Sequence, residues 1–268
     1  MKPPFGIFTA LAWESAAVRS VLRQVRREGE GLWRGSTGRR DVVIITGGIG
    51  PHRTRQTVER FVATPLTAVF SVGCAGALIP GPTTGQLILA PAVRMYAEEQ
   101  NEQDGQNEQD GQEEKEERLD TFPVHPDLLD AARTAATHAG VETAEGGIFT
   151  SRRVLFSPEE KHKCGRETDC IAVEMESGVH AEFAVKRELP FLVLRVILDS
   201  VDMTIPAMTG VTTPDGNIRM TRALTHVMTH PQHLPFLLRL KHCRAGAAEA
   251  IARMCRALFP LLNDRDLV

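Results

Sequence analysis

Four carboxylates stand where carboxylates are costly to place. Glu174 and Glu176 close the apolar run Ile171-Ala-Val and flank Met175, while Asp199 ends the run Phe191-Leu-Val-Leu-Arg-Val-Ile-Leu. Glu14 follows the apolar run Phe5-Gly-Ile-Phe-Thr-Ala-Leu-Ala12. An acid desolvated at the end of a buried strand is a candidate for proton transfer or for stabilising a developing cation. Each acid also has a plainer reading. A glutamate opening a helix can serve the macrodipole or a cap, and an acid after a strand is often the N-cap of the next helix. Taken together, acids that follow long apolar runs, where desolvation is costly without a purpose, read as one functional site.

Alternating elements must position these groups. Strand-like runs cover Phe5–Ala12, Asp41–Thr46, Thr67–Gly73, Gly85–Ala90, Val93–Met95, Gly146–Thr150 and Phe191–Asp199. Helical patterns follow Trp13 (with Ala16, Val18, Val21 and Leu22), span His52–Val62 and Pro126–His138, and follow the capping box Ser157-Pro-Glu-Glu160. A further helix-compatible segment runs from the paired glutamates to Leu189, where Pro190 stops it. Such alternation predicts an α/β sheet, in which ligands gather at the carboxyl ends of the strands. Two adjacent strands ending in acids then form one site.

The chain has 268 residues, 42% of them hydrophobic, and a net charge of −3. That is enough for one large α/β domain, and the charge argues against general affinity for nucleic acid. Cys74, Cys164, Cys170, Cys243 and Cys255 form no CxxC pair and read as reduced thiols, which with the lack of a signal-peptide pattern predicts a cytoplasmic protein. No apolar run approaches a membrane span. Gly47-Gly-Ile-Gly50 is neither a P-loop nor a dinucleotide fingerprint, so no cofactor is expected. The tandem Asn-Glu-Gln-Asp-Gly-Gln repeat at 101–112 and the acids after it predict a disordered insertion over 98–118, and its spacing lacks an EF-hand pattern. No metal site is expected.

Val173-Glu-Met-Glu176 and Leu194-Arg-Val-Ile-Leu-Asp-Ser-Val-Asp202 resemble the signature of the nucleoside phosphorylase and nucleosidase superfamily, which includes the methylthioadenosine/S-adenosylhomocysteine nucleosidases. The resemblance runs from Phe5 to about Pro206, interrupted by the insertion. It implies a three-layer α/β/α domain with a central mixed sheet, assembled as a homodimer. It also implies that Glu14 activates water, Asp199 protonates the leaving base, Glu176 and Glu174 bind the substrate with Glu176 at the ribose hydroxyls, and Met175 packs beneath the sugar. The backbone of Cys74, Ala75 and Gly76 would lie against ribose and base.

Several departures from the family carry information. Family phosphorylases hold phosphate with an arginine and a serine where this chain has Ser71 and Cys74. Water is therefore the expected nucleophile, with Arg53 or Arg55 as the stand-ins a phosphorylase would need. The aromatic that stacks on adenine corresponds to Phe156 or Phe149, both of which also suit core packing. A serine normally precedes the catalytic aspartate, and Leu198 replaces it, so Asp199 must be held by other means. The helical extension at 207–268 is similar to the hopanoid-associated phosphorylase branch, which implies a lipid-linked adenine nucleoside, adenosylhopane, as substrate. Leu234, Phe236, Leu237, Leu238, Leu240, Met203, Ile205 and Met208 would then line an apolar opening, or else pack the last helix on the sheet.

Overall fold

The computed structural model describes residues 2–97, 118–205 and 234–263, with side chains at 234–238 left aside. Residues 98–117 of the expected insertion lie outside these residues, as do Met208 with 207–233 and 264–268 of the extension.

Strand β5 (Ala68–Ala77) organises the sheet. It is buried along almost its whole length, so both of its edges must be paired. On one edge lies β12 (Phe191–Asp199), parallel to it from Phe191↔Val69 onward. On the other lies β1 (Phe5–Thr9), parallel and in register as far as Phe8↔Ser71. Past that point β11 (Ala172–Glu174) takes over antiparallel, through Val173↔Gly76 and Ala172↔Ala77. The gap between β1 and β11 leaves the middle of β5 without a strand neighbour on that edge.

The sheet extends from β1 through β4 (Asp41–Thr46), which is parallel to it, then the antiparallel β3 (Leu32–Ser36) and β2 (Arg23–Gly29). The outermost strand is exposed and carries Arg23, Arg26, Arg27 and Glu28, charges that blunt a free edge. From β11 the sheet continues through β10 (Ile148–Thr150), β7 (Ala92–Tyr96) and β8 (Leu119–Pro123). A side branch pairs β12 with β6 (Leu87–Leu89) and β6 with β9 (Thr143–Glu145).

Helices α1 (Ala12–Arg19), α3 (Pro126–Ala139) and α6 (Leu234–Asn263) pack together in one layer. Helices α2 (Pro51–Glu59) and α5 (Ser177–Lys186) form another, and α4 (Pro158–Thr168) precedes β11. The result is the expected three-layer α/β/α arrangement around a mixed sheet.

Two local expectations change. β1 stops at Thr9, α1 opens at Ala12, and Val21 and Leu22 lie beyond its end. The strand expected to end at Gly73 runs on through Cys74–Ala77 in β5, because β12 and β11 supply partners that the local sequence does not reveal. Helix α6 packs on β12 and on α1 and α3 as part of the core. Ala247, Ile251, Met254, Cys255, Leu258, Phe259 and Leu262 are buried against α1, α3 and β12.

Candidate active site

Cys74 and Gly76 lie two residues apart on β5, and each is covered by a carboxylate. In the gap between β1 and β11, the Cys74 N–H donates to Glu14 Oε1 at 3.1 Å, and the Cys74 thiol donates to the same oxygen at 3.3 Å. The other oxygen, Oε2, accepts from the Ala10 and Leu11 N–H groups at 3.0 and 2.9 Å. Glu14 is thus held in the first turn of α1, and it closes the strand gap as well as the helix end. The plainer reading from sequence is true, and it is also what fixes the carboxylate.

Asp199 reaches Gly76 because β12 slips register between Ile197 and Asp199, which re-aims the acid across β5. A Cβ on Gly76 would stand 2.7 Å from Asp199 Oδ2, and one on Gly73 would stand 2.8 Å from Glu14 Oε1. Only residues without side chains let both acids lie this close to the strand. The strand positions they cover, Cys74 and Gly76, are two residue steps apart, roughly 7 Å along β5.

Glu174, Met175 and Glu176 run back along β5 from the β11 pairing. Glu174 accepts from Arg195 through Nη2 at 2.7 Å and Nε at 3.2 Å, from Thr150 Oγ1 at 2.5 Å, and from the N–H groups of Glu176 and Ser177. Both of its oxygens are engaged by protein donors, so it pins the start of α5 to β10 and β12. Glu176 Oε1 accepts from Gly50 N–H at 2.9 Å, which ties α5 to the turn before α2. Met175 is half-buried and lines the cavity between them.

These groups surround one cavity of about 210 Å³. Its walls include Glu14, Cys74, Ala75, Gly76, Glu174, Met175, Glu176 and Asp199, together with Leu11, Ile49, Val154, Leu155, Leu198 and Ile205. All eight residues singled out from the sequence are brought together. Neither Phe149 nor Phe156 lines it: Phe149 packs edge-on against Tyr96, and Phe156 is exposed. Arg55 is drawn to Glu182 at 2.5 Å and faces a different cavity with His52, Tyr96 and Arg152.

Burial raises the Glu14 carboxyl above the ordinary carboxylate range, against the pull of the Arg195 charge and its N–H donors. Burial also opposes the charge on Glu174, but Arg195 and the Thr150 and Glu176 donors outweigh it and hold that carboxyl low. Glu176 is pushed up to about 8 by burial and by the neighbouring Glu174 charge. Asp199 is raised by burial, with Lys161 opposing. The Cys74 thiol is raised well above its ordinary value by burial and the Glu14 charge, so it is a hydrogen-bond donor and not a nucleophile.

Two basic groups escaped the sequence reading. Arg195 is buried mid-strand, ion-paired to Glu174, and donates to Ser71 Oγ at 2.9 Å. Ser71 in turn lies 2.8 Å from Nδ1 of His180, a ring kept neutral by burial and the nearby guanidinium. A charge inside an otherwise apolar strand was the available signal for Arg195. Lys161 is 1% exposed and sits 2.6 Å from Asp199 Oδ2. Its only signal was its place on the helical stripe with Cys164, Gly165 and Thr168. Among the described residues, no three His, Cys, Asp or Glu side chains converge as a metal site. No helix of the described residues is long and apolar enough to cross a membrane.

Residues 4–226 match the phosphorylase superfamily. The 5′-methylthioadenosine/S-adenosylhomocysteine nucleosidase of Mycobacterium bovis is 27% identical over 219 residues, covering 72% of this chain and 84% of the relative. The Haemophilus ducreyi nucleosidase of the same name is 26% identical over 207 residues, covering 75% and 87%. Among solved structures, futalosine hydrolase of Helicobacter pylori strain 26695 superposes with a TM-score of 0.69 at 17% identity, covering 97% of this chain and 98% of that one. The Neisseria meningitidis methylthioadenosine/S-adenosylhomocysteine nucleosidase bound to methylthio-immucillin-A gives 0.67 at 20% identity, covering 95% and 99%. With the match spanning every strand that frames the cavity, the chain belongs to the phosphorylase superfamily.

Proposed function

We propose that the protein hydrolyses the N-glycosidic bond of an adenine nucleoside bound along β5. The observation that carries this reading is the pair Glu14 and Asp199, one buried and one 17% exposed, which cover Cys74 and Gly76 of β5, with Glu176 and Met175 in the same cavity. Asp199 gives its proton to a base nitrogen as the C1′–N bond breaks and its electron pair goes to the base. Glu176 takes the ribose hydroxyls, and its ionised form stabilises the cationic sugar. Glu14 takes a proton from the water that attacks C1′. Glu174, engaged wholly by protein donors, builds the site and does not touch substrate.

Water is favoured over phosphate by charge. The acids Glu14, Glu174, Glu176 and Asp199 line the cavity, and the nearby cations are committed, Lys161 to Asp199, Arg153 to Glu160 and Arg195 to Glu174, while Arg55 faces elsewhere. A dianion would be desolvated against like charge. The largely apolar remainder of the lining supports a nucleoside with an apolar 5′ extension, and with the sequence resemblance it favours adenosylhopane. The nucleosidase relatives favour methylthioadenosine or S-adenosylhomocysteine as the second reading. Adenine release from adenosylhopane and from methylthioadenosine, with and without phosphate, separates these readings. We expect release in phosphate-free buffer with a free reducing sugar. A sugar 1-phosphate formed only when phosphate is present would overturn the hydrolytic reading.

A further inference from the structure

Asp199 is held by a buried lysine that the proposed chemistry does not use. Lys161 donates to Asp199 Oδ2 at 2.6 Å, to Ser200 O at 3.0 Å and to Met203 O at 2.8 Å. An ammonium has three N–H bonds, and all three are taken. Lys161 therefore has no donor left for a ligand. Its place is fixed from its own side by the Ser157 capping box and by Glu160, which binds Arg153 at 2.6 Å.

We propose that Lys161 is a positioning residue for Asp199: by donating to Oδ2 it confines the transferable proton to Oδ1, the oxygen left for the base. This rests on the general-acid reading of Asp199. A carboxylic acid whose one oxygen accepts from an ammonium carries its proton on the other. Leu198 supplies no hydroxyl to make that choice, and the register slip beside it leaves Asp199 dependent on a contact from outside the sheet. The carbonyl contacts tie the turn after β12 to the same ammonium, so the acid and the turn behind it move together.

Other charged and titratable groups surround the cavity without touching Asp199: Glu14 of α1, Arg195 of β12, Glu174 and Glu176 between β11 and α5, Arg153 ahead of α4, and Cys74 of β5. Asp202, 3.9 Å from His162, faces outward in the next turn. Among the described residues Lys161 alone donates to the Asp199 carboxylate.

Lys161→Met, Lys161→Gln and Lys161→Arg test the proposal through the pH profile of kcat/KM. Asp199 acts while protonated, so activity falls as pH rises through its titration. Removing the cation disfavours the ionised form, and the alkaline limb should move upward by roughly 1 to 3 pH units in the Met and Gln variants. It should stay near its place in the Arg variant, while kcat falls by about tenfold or more in all three from lost alignment. A purely structural lysine would lower the rate at every pH and leave the limb unmoved, and that result overturns the proposal. If Lys161→Met does not fold, the Gln and Arg pair decides, since both can still donate to the turn carbonyls. Asp199→Asn separates the two levels. Near-normal turnover in that variant defeats the general-acid reading itself, whereas loss of turnover with an unmoved limb in the lysine variants defeats only the role of Lys161.

Discussion

Three carboxyls in one cavity are raised by burial, and each is expected to titrate differently in function. Glu14 must be ionised to accept a proton from water. The acid limb of kcat/KM should therefore lie above the ordinary carboxylate range, because burial raises this group. Glu14→Gln removes the base, and turnover should fall by about a hundredfold or more with the fold intact, which steady-state assay and circular dichroism would show together. Asp199→Asn should cost a similar factor. Turnover within a few-fold of wild type in either soluble variant would reject the role assigned to that residue. Glu176 is mostly protonated in the empty site near pH 7, since its carboxyl sits at about 8. Two ribose hydroxyls donating to it favour its anion, so ligand binding should release a proton, measurable by calorimetry in buffers of different ionisation enthalpy.

At the scale of elements, strand β5 and helix α4 each make a prediction. Gly76 is the point where β5 passes beneath Asp199, and a methyl group there would meet Oδ2 at 2.7 Å. Gly76→Ala should lower kcat far more than it lowers Tm, because the acid can swing away while the strand stays paired on both sides. A variant with wild-type kcat would show that Asp199 does not need its present place. Helix α4 starts at a complete capping box, with Glu160 N–H donating to Ser157 Oγ at 3.2 Å and the Glu160 carboxylate accepting from Ser157 N–H. Ser157→Ala should cost about 1 kcal/mol and lower Tm by roughly 2 to 4 °C. The Arg195–Glu174 pair ties β12 to β11, and both side chains are at most 3% exposed. Removing one partner strands the other as a buried charge, so Arg195→Met should destabilise by about 3 to 5 kcal/mol, read by denaturant unfolding. It should also push Glu14 higher and move the acid limb upward, because the guanidinium charge is the largest influence opposing burial there.

For the whole molecule, the site is a concentration of negative charge that stability does not favour. Glu176 is protonated in the native state and ionised in the unfolded chain between about 4.5 and about 8. The native state binds the extra proton across that window, so this group's contribution to stability is lost as pH rises through it. Glu14 and Asp199, raised in the same direction, add to the loss. Above about pH 7, where the opposite effect of the buried neutral His180 is complete, thermal unfolding of wild type should thus show Tm declining toward pH 8, and Glu176→Gln should flatten the decline and raise Tm at pH 8 while impairing turnover. An unchanged pH dependence in that variant would mean that Glu176 is not the strained group. Such a gain of stability with loss of activity is the expected mark of a functional acid cluster.

The sequence by itself determined the ends of strands where acids would gather. Apolar runs breaking into Glu14, the Glu174–Glu176 pair and Asp199 are local patterns, and the sheet did bring these residues into one cavity, with Cys74, Ala75 and Gly76 as its floor. The alternation of elements also determined the layered α/β architecture. Only the tertiary structure decided how the acids differ. Glu174 became a fixed structural anion because Arg195, remote in sequence, and Thr150 converge on it. Glu176, two residues away, forms no ion pair among the described residues, and burial with the Glu174 charge outweighs the pull of Arg195 and raises it. The continuation of β5 through Cys74–Ala77 depended on β11 and β12, which no local propensity encodes. Lys161 is not singled out by its sequence neighbours, and only packing against Asp199 gives it a role. Burial and charge pairing are properties of distant segments meeting, and a carboxylate's chemistry is set by them rather than by its neighbours along the chain.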